Sequence, residues 1–245
     1  MKILFSTCLF ILLSGCIKNS NLPLQFVYLH DIDPSILEDV RYHSDQNFLG
    51  HRVPGYNSTH IICTKASAFK LKEAHRYFKK RGYQLVVYDG YRPQVAVDSF
   101  HDWAKNTTID NLSLKQYYYP TLSKKDISNR YIQLNRSAHS RGSTFDLTLI
   151  PYHHQLRPIK IYSRTLNNGD HIAYLDDHTV DMGSSFDLFH PASFSHSKLV
   201  SPKAQKMRKF LRQGMKKFGF RAYPYEWWHF EMIKEPYPRT YFNFF

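Results

Sequence analysis

Two short stretches of this chain carry residues that could do chemistry together. Ser137-Ala138-His139-Ser140-Arg141-Gly142-Ser143-Thr144-Phe145-Asp146 offers a histidine, a tight turn and then a carboxylate. Near the C-terminus, Glu226-Trp227-Trp228-His229 adds a second histidine with a carboxylate beside it. Two histidines and one carboxylate can hold a zinc ion and leave a position open, with a separate glutamate acting as base on water.

The spacing supports convergence. From Ser143 onward the chain reads S-T-F-D-L-T-L-I, with Phe145, Leu147 and Leu149 on one face of a strand and Asp146 and Thr148 on the other. On a straight strand His139 and Asp146 would point to opposite faces, because their separation is odd. Ser140-Arg141-Gly142 removes that obstacle, since Gly142 can take positive φ and let the chain turn. Trp228, Phe230 and Met232 alternate with Trp227, His229 and Glu231, again as in a strand. Glu226 lies just before that strand, after Pro224, where a bend can aim it at the ion.

Each residue also has an ordinary reading. The chain has 14 histidines, and a single imidazole is more often solvated or hydrogen-bonded than a ligand. Asp146 is harder to dismiss, because a carboxylate among apolar strand residues needs a partner or an ion. The two motifs together carry the metal reading; neither does so alone.

The elements that must position these residues can be read in outline. A first strand is expected over 24–28, followed by an irregular stretch from Asp31 to Tyr56 with Asp-Pro, Leu-Gly and Pro-Gly breaks. Thr64 caps a helix to about Arg81, with Leu71, Ala74 and Phe78 on one face and Gly82 at its end. Tyr83 to Tyr88 is a strand that runs into Asp89-Gly90-Tyr91-Arg92-Pro93, presenting Arg92 where the next helix begins. That helix extends to about Lys105 with Ala96, Phe100 and Trp103 as its buried stripe. Residues 106–130 are polar and tyrosine-rich, show no clear period, and read as a long excursion that walls the cleft.

After the Asp146 strand come loops and hairpin-like segments, with turns at Asn168-Gly169 and from Asp181 to Asp187. Pro202 opens a last helix, with Ala204, Met207, Leu211, Met215 and Phe218 in register and Gly219 at its end. His153, His154, His190 and His196 fall in loop-like stretches and read as solvated. Without repeats, a domain break or regular βαβ alternation, the pattern predicts one α+β domain: a mainly antiparallel sheet flanked by helices, with the zinc in a central cleft.

The chain has 245 residues, enough for one sizeable core. Its start, M-K-I-L-F-S-T-C-L-F-I-L-L-S-G-C, reads as a secretory signal, too short and abruptly stopped for a spanning helix. Leu13-Ser14-Gly15-Cys16 matches a bacterial lipoprotein processing site, against an ordinary signal peptide with a chance cysteine. The expected division is therefore a signal over 1–15, a tether over 16–23 and the catalytic domain over 24–245. Cys16 would carry lipid and anchor the exported protein to a membrane facing the periplasm or cell envelope. Ile17 after it fits the outer membrane, where the host has one.

The formal charge of +13 falls to +12 once residues 1–15, with their one lysine, are removed. Nucleic acid is not an expected partner for an exported chain; attraction to anionic lipid or wall polymer is the more economical of the partner readings, and a simply solvated basic surface without a specific partner is the leading explanation of the charge. With Cys16 lipidated, Cys63 would stand alone and no intramolecular disulfide would form.

Taken together, the motifs resemble the VanX-type zinc D-alanyl-D-alanine dipeptidases, within the wider family of zinc D,D-peptidases. The resemblance rests on Asp89-Gly90-Tyr91-Arg92-Pro93, the S-A-H-S-R-G-S-T-F-D-L-T-L run, M-G-S-S-F-D at 182–187, E-W-W-H at 226–229 and Glu235-Pro236-Tyr237-Pro238. Tyr42 ahead of Asn47-Phe48 and Gly55-Tyr56 also fits, so the similarity spans nearly all of residues 24–245.

It implies one zinc ion per chain, bound by His139, Asp146 and His229, and Glu226 as general base. Arg92 would steady the carbonyl oxygen as it gains charge, Asp187 and Tyr42 would grip the substrate's ammonium, and Ser137 would help hold the dipeptide. The ordinary alternatives are a surface ion pair with Asp89 for Arg92, turn positions for Asp187 and Ser137, and packing for Tyr42. Thr144 departs from the small alanine that such enzymes usually place two residues before the zinc aspartate, which bears on substrate preference.

The implied activity is hydrolysis of D-Ala-D-Ala or a related D-dipeptide in cell-wall turnover. The rival is a D,D-carboxypeptidase acting on longer peptidoglycan stem peptides. A wall-binding lipoprotein with a purely structural zinc would need neither Glu226 nor Arg92. A serine hydrolase is disfavoured, because no G-x-S-x-G elbow occurs.

Overall fold

A computed structural model describes residues 22–106, 111–131 and 136–245. In chain order it begins with β1 (Phe26–Tyr28), the short α1 (Leu29–Ile32), β2 (Leu37–Glu38), β3 (Ile62–Thr64) and α2 (Lys65–Lys79). Then come β4 (Tyr83–Asp89), α3 (Gln94–Lys105), α4 (Leu112–Tyr118), α5 (Lys124–Arg130) and β5 (Thr144–Pro151). The chain closes through β6 (Lys160–Thr165), β7 (His171–Asp176), α6 (Pro202–Lys217), β8 (Phe220–Ala222) and β9 (His229–Met232).

A five-stranded sheet in the order β2-β4-β5-β9-β8 carries the molecule. Only the β2–β4 pairing is parallel; β4–β5, β5–β9 and β9–β8 are antiparallel. The α+β expectation with a mainly antiparallel sheet therefore holds. β5 lies at the centre, and every residue from Thr144 to Ile150 is buried, so both of its faces are covered. Leu71, Ala74 and Phe78 of α2 and Leu211 and Met215 of α6 are fully buried in the same core cluster as the sheet's Val87, Phe145 and Phe230.

The helix signals act as expected at α2, where the Thr64 side chain accepts the Ser67 N–H and Gly82 follows the end at φ +82°. The stretch 106–130 differs from the expected excursion, because α4 and α5 form within it. The Asn111 side chain caps α4, and Ser123 with Asp126 forms a capping box on α5. Tyr118 and Ile127 anchor these helices in the core. Two helices of seven residues are too short to show a hydrophobic period, so the caps were the better signal. β8, pairing with β9, is likewise an element the periodicity did not reveal. The Asn168-Gly169 turn does close a hairpin, joining β6 to β7.

The sheet register bears directly on function. Asp89 pairs with Asp146, and Asp146 pairs with His229, so three polar residues lie in one row across β4, β5 and β9. Directly opposed residues project from the same face. A register shift between Val87 and Asp89 bends the end of β4 and brings Asp89 into that row.

Candidate active site

His139 sits on a single 3-10 turn, Ala138–Arg141, that leads directly into β5. The Ser137 side chain accepts the His139 N–H at 3.3 Å and caps that turn. Gly142 ends it at φ +77°, and its N–H donates to the His139 carbonyl at 2.9 Å. A side chain at 142 would be strained by that backbone and would meet a Phe26 ring carbon at 2.3 Å. The glycine thus makes the turn that the odd His139–Asp146 spacing requires.

Three donor atoms converge. His139 Nε2 lies 3.3 Å from His229 Nδ1 and 3.4 Å from Asp146 Oδ2, and His229 Nδ1 lies 3.1 Å from Asp146 Oδ1. Bonds of about 2.0–2.1 Å in a tetrahedral site place neighbouring donors roughly 3.3 Å apart, so the spacing fits a zinc-sized ion without rearrangement. The opposite ring nitrogens are also supported. His139 Nδ1 donates to the Gly90 carbonyl at 2.8 Å, which leaves Nε2 with a free lone pair, and His229 Nε2 faces Glu231 Oε1 at 3.6 Å.

The electrostatics draw positive charge to this point. Burial alone would raise the Asp146 carboxyl, yet His139 and His229 outweigh it and hold it far below the usual carboxylate range. Burial alone would lower His229, yet Asp146 and Glu231 push it up to about 10. Glu226 Oε2 stands 3.6 Å from His229 Nδ1. Burial raises Glu226 to about 7, against the pull of His229 and Arg92 and with the push of Asp146. A carboxyl group poised there can exchange protons near neutrality.

Arg92 follows the β4 bulge and reaches back. Its Nε and Nη2 donate to Asp89 Oδ2 at 3.0 and 2.8 Å, and Nη2 lies 3.5 Å from Asp146 Oδ2. The guanidinium lies over the rings of Tyr42 and Phe100. Burial opposes its charge, but Asp89 more than compensates and keeps it protonated. The ion pair with Asp89 forms, but it is buried rather than on the surface, and only its Arg92 partner lines the cleft.

Tyr42 donates its hydroxyl proton to Asp187 Oδ2 at 2.8 Å. Asp187 is 4% exposed and holds φ at +59°, a conformation rare for a side-chain-bearing residue. Burial raises its carboxyl well above the ordinary range, Asp146 adds to that, and Tyr42 and Arg92 oppose it. Ser137, Tyr42, Arg92, Asp187, Glu226 and the three converging residues all line one cleft of about 100 Å³. Thr144 does not line it; that residue is buried opposite Glu231 in the β5–β9 ladder.

Sequence reasoning gave Asp89 only an ordinary surface pairing with Arg92 and did not single out Gly90 or Tyr223. Asp89 and Gly90 together hold Arg92 and His139, and Tyr223 sets its ring 5.4 Å from that of His229. Glu231 was open to discovery, because it follows His229 by two on one strand and so shares its face. Of the four histidines expected to be solvated, His190 is in fact buried, its ring accepting the Ala192 N–H at 3.0 Å. His153, His154 and His196 are exposed. Cys16 lies outside the described residues.

Comparison with known proteins gives a consistent result. The family model described as D-Ala-D-Ala dipeptidase matches residues 23–159 and 168–245. A D-alanyl-D-alanine dipeptidase of Enterococcus faecalis is 38% identical over 219 residues, covering 89% of this chain and 96% of that protein. Proteins of the same name from Streptomyces coelicolor and Enterococcus faecium are 34% and 33% identical over the same shares of each chain. A solved D,D-pentapeptidase, VanY, in complex with Zn(II), overlaps at 13% identity and a TM-score of 0.39 over 71% of this chain and 74% of that one, too slight a likeness to build on.

Proposed function

The chain belongs to the D-Ala-D-Ala dipeptidase family of metallopeptidases, and from that premise we propose that it hydrolyses D-Ala-D-Ala with one zinc ion held by His139 Nε2, an Asp146 oxygen and His229 Nδ1. The observation that carries the proposal is the spacing of those three donors at 3.1–3.4 Å, with the Glu226 carboxyl 3.6 Å from His229 Nδ1. Zinc, when bound, supplies a Lewis acid that makes water more acidic and polarises a peptide carbonyl.

The remaining chemistry belongs to the chain. Glu226 takes a proton from the attacking water and returns it to the departing amine, a task suited to a carboxyl whose proton affinity burial has raised. Arg92 offers fixed N–H donors to the carbonyl oxygen as negative charge grows on it. Asp89 restrains the guanidinium, so little ordering is left for the reaction to supply. Asp187 and Tyr42 receive the substrate's ammonium, whose positive charge offsets the cost of a buried carboxylate. Ser137 acts chiefly by capping the His139 turn and secondarily as a polar wall of the cleft.

Free dipeptide is favoured over longer stem peptides because the Asp187 carboxylate, 4% exposed and lining a cleft of about 100 Å³, suits an ammonium and leaves little room for a preceding residue. The deciding experiment measures D-alanine release from D-Ala-D-Ala and from an N-acylated D-Ala-D-Ala peptide, with chelator and after zinc is restored. Zinc-restored release from the free dipeptide alone supports the proposal. Release from the acylated peptide alone supports the D,D-carboxypeptidase reading.

We also propose that the protein is exported and anchored through lipid on Cys16, in a setting of wall-peptide turnover. The support is the Leu13-Ser14-Gly15-Cys16 sequence behind a basic start and apolar run. Mass spectrometry of membrane-extracted protein tests this: an acylated N-terminal peptide beginning at Cys16 is expected, and an unmodified Cys16 in a chain retaining residues 1–15 overturns it.

A further inference from the structure

A second group of ligand-type side chains lies outside the cleft. His30 of α1, Glu38 of β2 and His60, just before β3, bring one donor atom each to within 4.8 Å of the others. Three separate elements are locked together there. The Leu29 N–H donates to the Ile61 carbonyl at 2.8 Å, Tyr28 pairs with Ile62, and Glu38 pairs with Val87 of the central sheet. The His30 and His60 rings approach to 4.1 Å at 32°, and the Tyr28 ring flanks both.

The hydrogen bonding within the group is incomplete in a particular way. His60 Nδ1 lies 2.8 Å from Glu38 Oε2, while Glu38 Oε1 and His30 Nδ1 are buried with no hydrogen-bond partner among the described residues. His30 Nε2 faces Asp31 Oδ1 at 3.1 Å, so the carboxylate favours the ring proton on that nitrogen. That leaves His30 Nδ1 and Glu38 Oε1 with lone pairs that meet no donor at hydrogen-bond distance among the described residues, although the Ile61 backbone also approaches the Glu38 carboxylate. Buried acceptors without a donor are costly, and here two occur together with an imidazole at hand. A cation resolves all of it at once, with Asp31 as the outer carboxylate that orients a ligating histidine.

We propose that His30, Glu38 and His60 form a second divalent-metal site, independent of the catalytic one and selective for a late first-row ion such as zinc. Two imidazoles and one carboxylate match that class better than calcium or magnesium, which prefer oxygen donors throughout. Glu38 provides the buried floor, its side chain 7% exposed, and the more open His60 leaves the outer face to water. The ion would join α1, β2 and the segment before β3. Ile61 and Ile62 of that segment pack against Gly90, whose carbonyl holds His139, so the site braces the wall behind the catalytic centre without entering it.

Zinc titration of the full chain carrying His139→Ala and His229→Ala, which removes two catalytic donors, isolates this site. One zinc equivalent retained through gel filtration is expected, and adding His30→Ala with His60→Ala should abolish it. Separately, His60→Ala alone should lower the metal content of the otherwise unchanged protein from two equivalents to one while D-Ala-D-Ala hydrolysis persists. Glu38→Gln, close in shape, repeats the measurement should an alanine variant fail to fold. No zinc bound in the first variant, or an equivalent that survives loss of these donors, overturns the proposal. A failure of the catalytic reading would appear instead as absent zinc-dependent hydrolysis by the unaltered chain.

Discussion

Tyr42 and Asp187, 145 positions apart in the chain, meet through a single hydrogen bond of 2.8 Å inside the cleft. The tyrosine supplies a neutral donor to a carboxylate that burial and Asp146 otherwise disfavour. An ammonium contacting this pair is bound equally in the ground and transition states, so its loss should appear mainly in KM. Asp187→Ala should lower kcat/KM by about 10- to 100-fold, the equivalent of one charge-assisted hydrogen bond, and Tyr42→Phe by less. Steady-state kinetics on D-Ala-D-Ala decide this; an unchanged KM for Asp187→Ala would remove Asp187 from substrate binding.

Glu226→Gln keeps the shape of the side chain but cannot carry the proton. Hydrolysis should fall by about 10²- to 10⁴-fold while bound zinc, measured by elemental analysis, stays at the unaltered level. The pH dependence has a definite sign. A base works only when deprotonated, so kcat/KM should rise with pH through the Glu226 pKa. That limb should sit at or below about 7, because Arg92 and a bound cation both favour the carboxylate. The residual activity of Glu226→Gln should lack it.

Asp89 is fully buried and accepts from Tyr56, from the Gly90 N–H and from Arg92. Asp89→Asn puts an NH2 group where an accepting oxygen faces donors, and it leaves Arg92 leaning on Asp146, 3.5 Å away. Breaking such a pair costs roughly 3–5 kcal/mol. Urea denaturation should show a loss of that order, with reduced turnover even where the variant is fully folded, because Arg92 and the Gly90 support of His139 are both disturbed. Stability within about 0.5 kcal/mol of the unaltered chain would show that the pair contributes little.

His75 supplies a test of stability away from the cleft. Burial, assisted by Lys79 and opposed by Asp33, lowers its pKa from 6.5 to about 4. Its Nδ1 accepts the Leu85 N–H at 3.2 Å, so the neutral ring is the one the fold uses. The unfolded chain therefore takes up the proton first as the pH falls. The contribution is present above about 6.5, declines as the pH drops toward about 4, and is constant below. His75→Gln should flatten that part of the pH–stability curve measured by denaturant titration.

What the sequence alone determined was local. The Thr64 cap, the S-T-F-D-L-T-L-I alternation and the glycine after Ser140-Arg141 state their own backbone geometry, because caps, strand periodicity and positive φ act within a few residues. That His139, Asp146 and His229 could converge, with Glu226 beside them, was legible because the two motifs hold complementary side-chain types, and the resemblance pointed to Arg92, Asp187 and Tyr42, which line the same cleft. The helices α4 and α5 were not legible, since two turns of helix give no measurable period.

Only the tertiary structure decided how distant residues meet. The row Asp89–Asp146–His229 exists because β5 lies between β4 and β9 with one register, and a bulge corrects that register at its last position. The tie from Asp89 to Arg92, the burial that lifts Glu226, and the meeting of His30 with Glu38 and His60 depend likewise on what packs against what. Pairing partner and solvent exclusion are properties of the assembled sheet and its covering helices, and no window along the chain contains them.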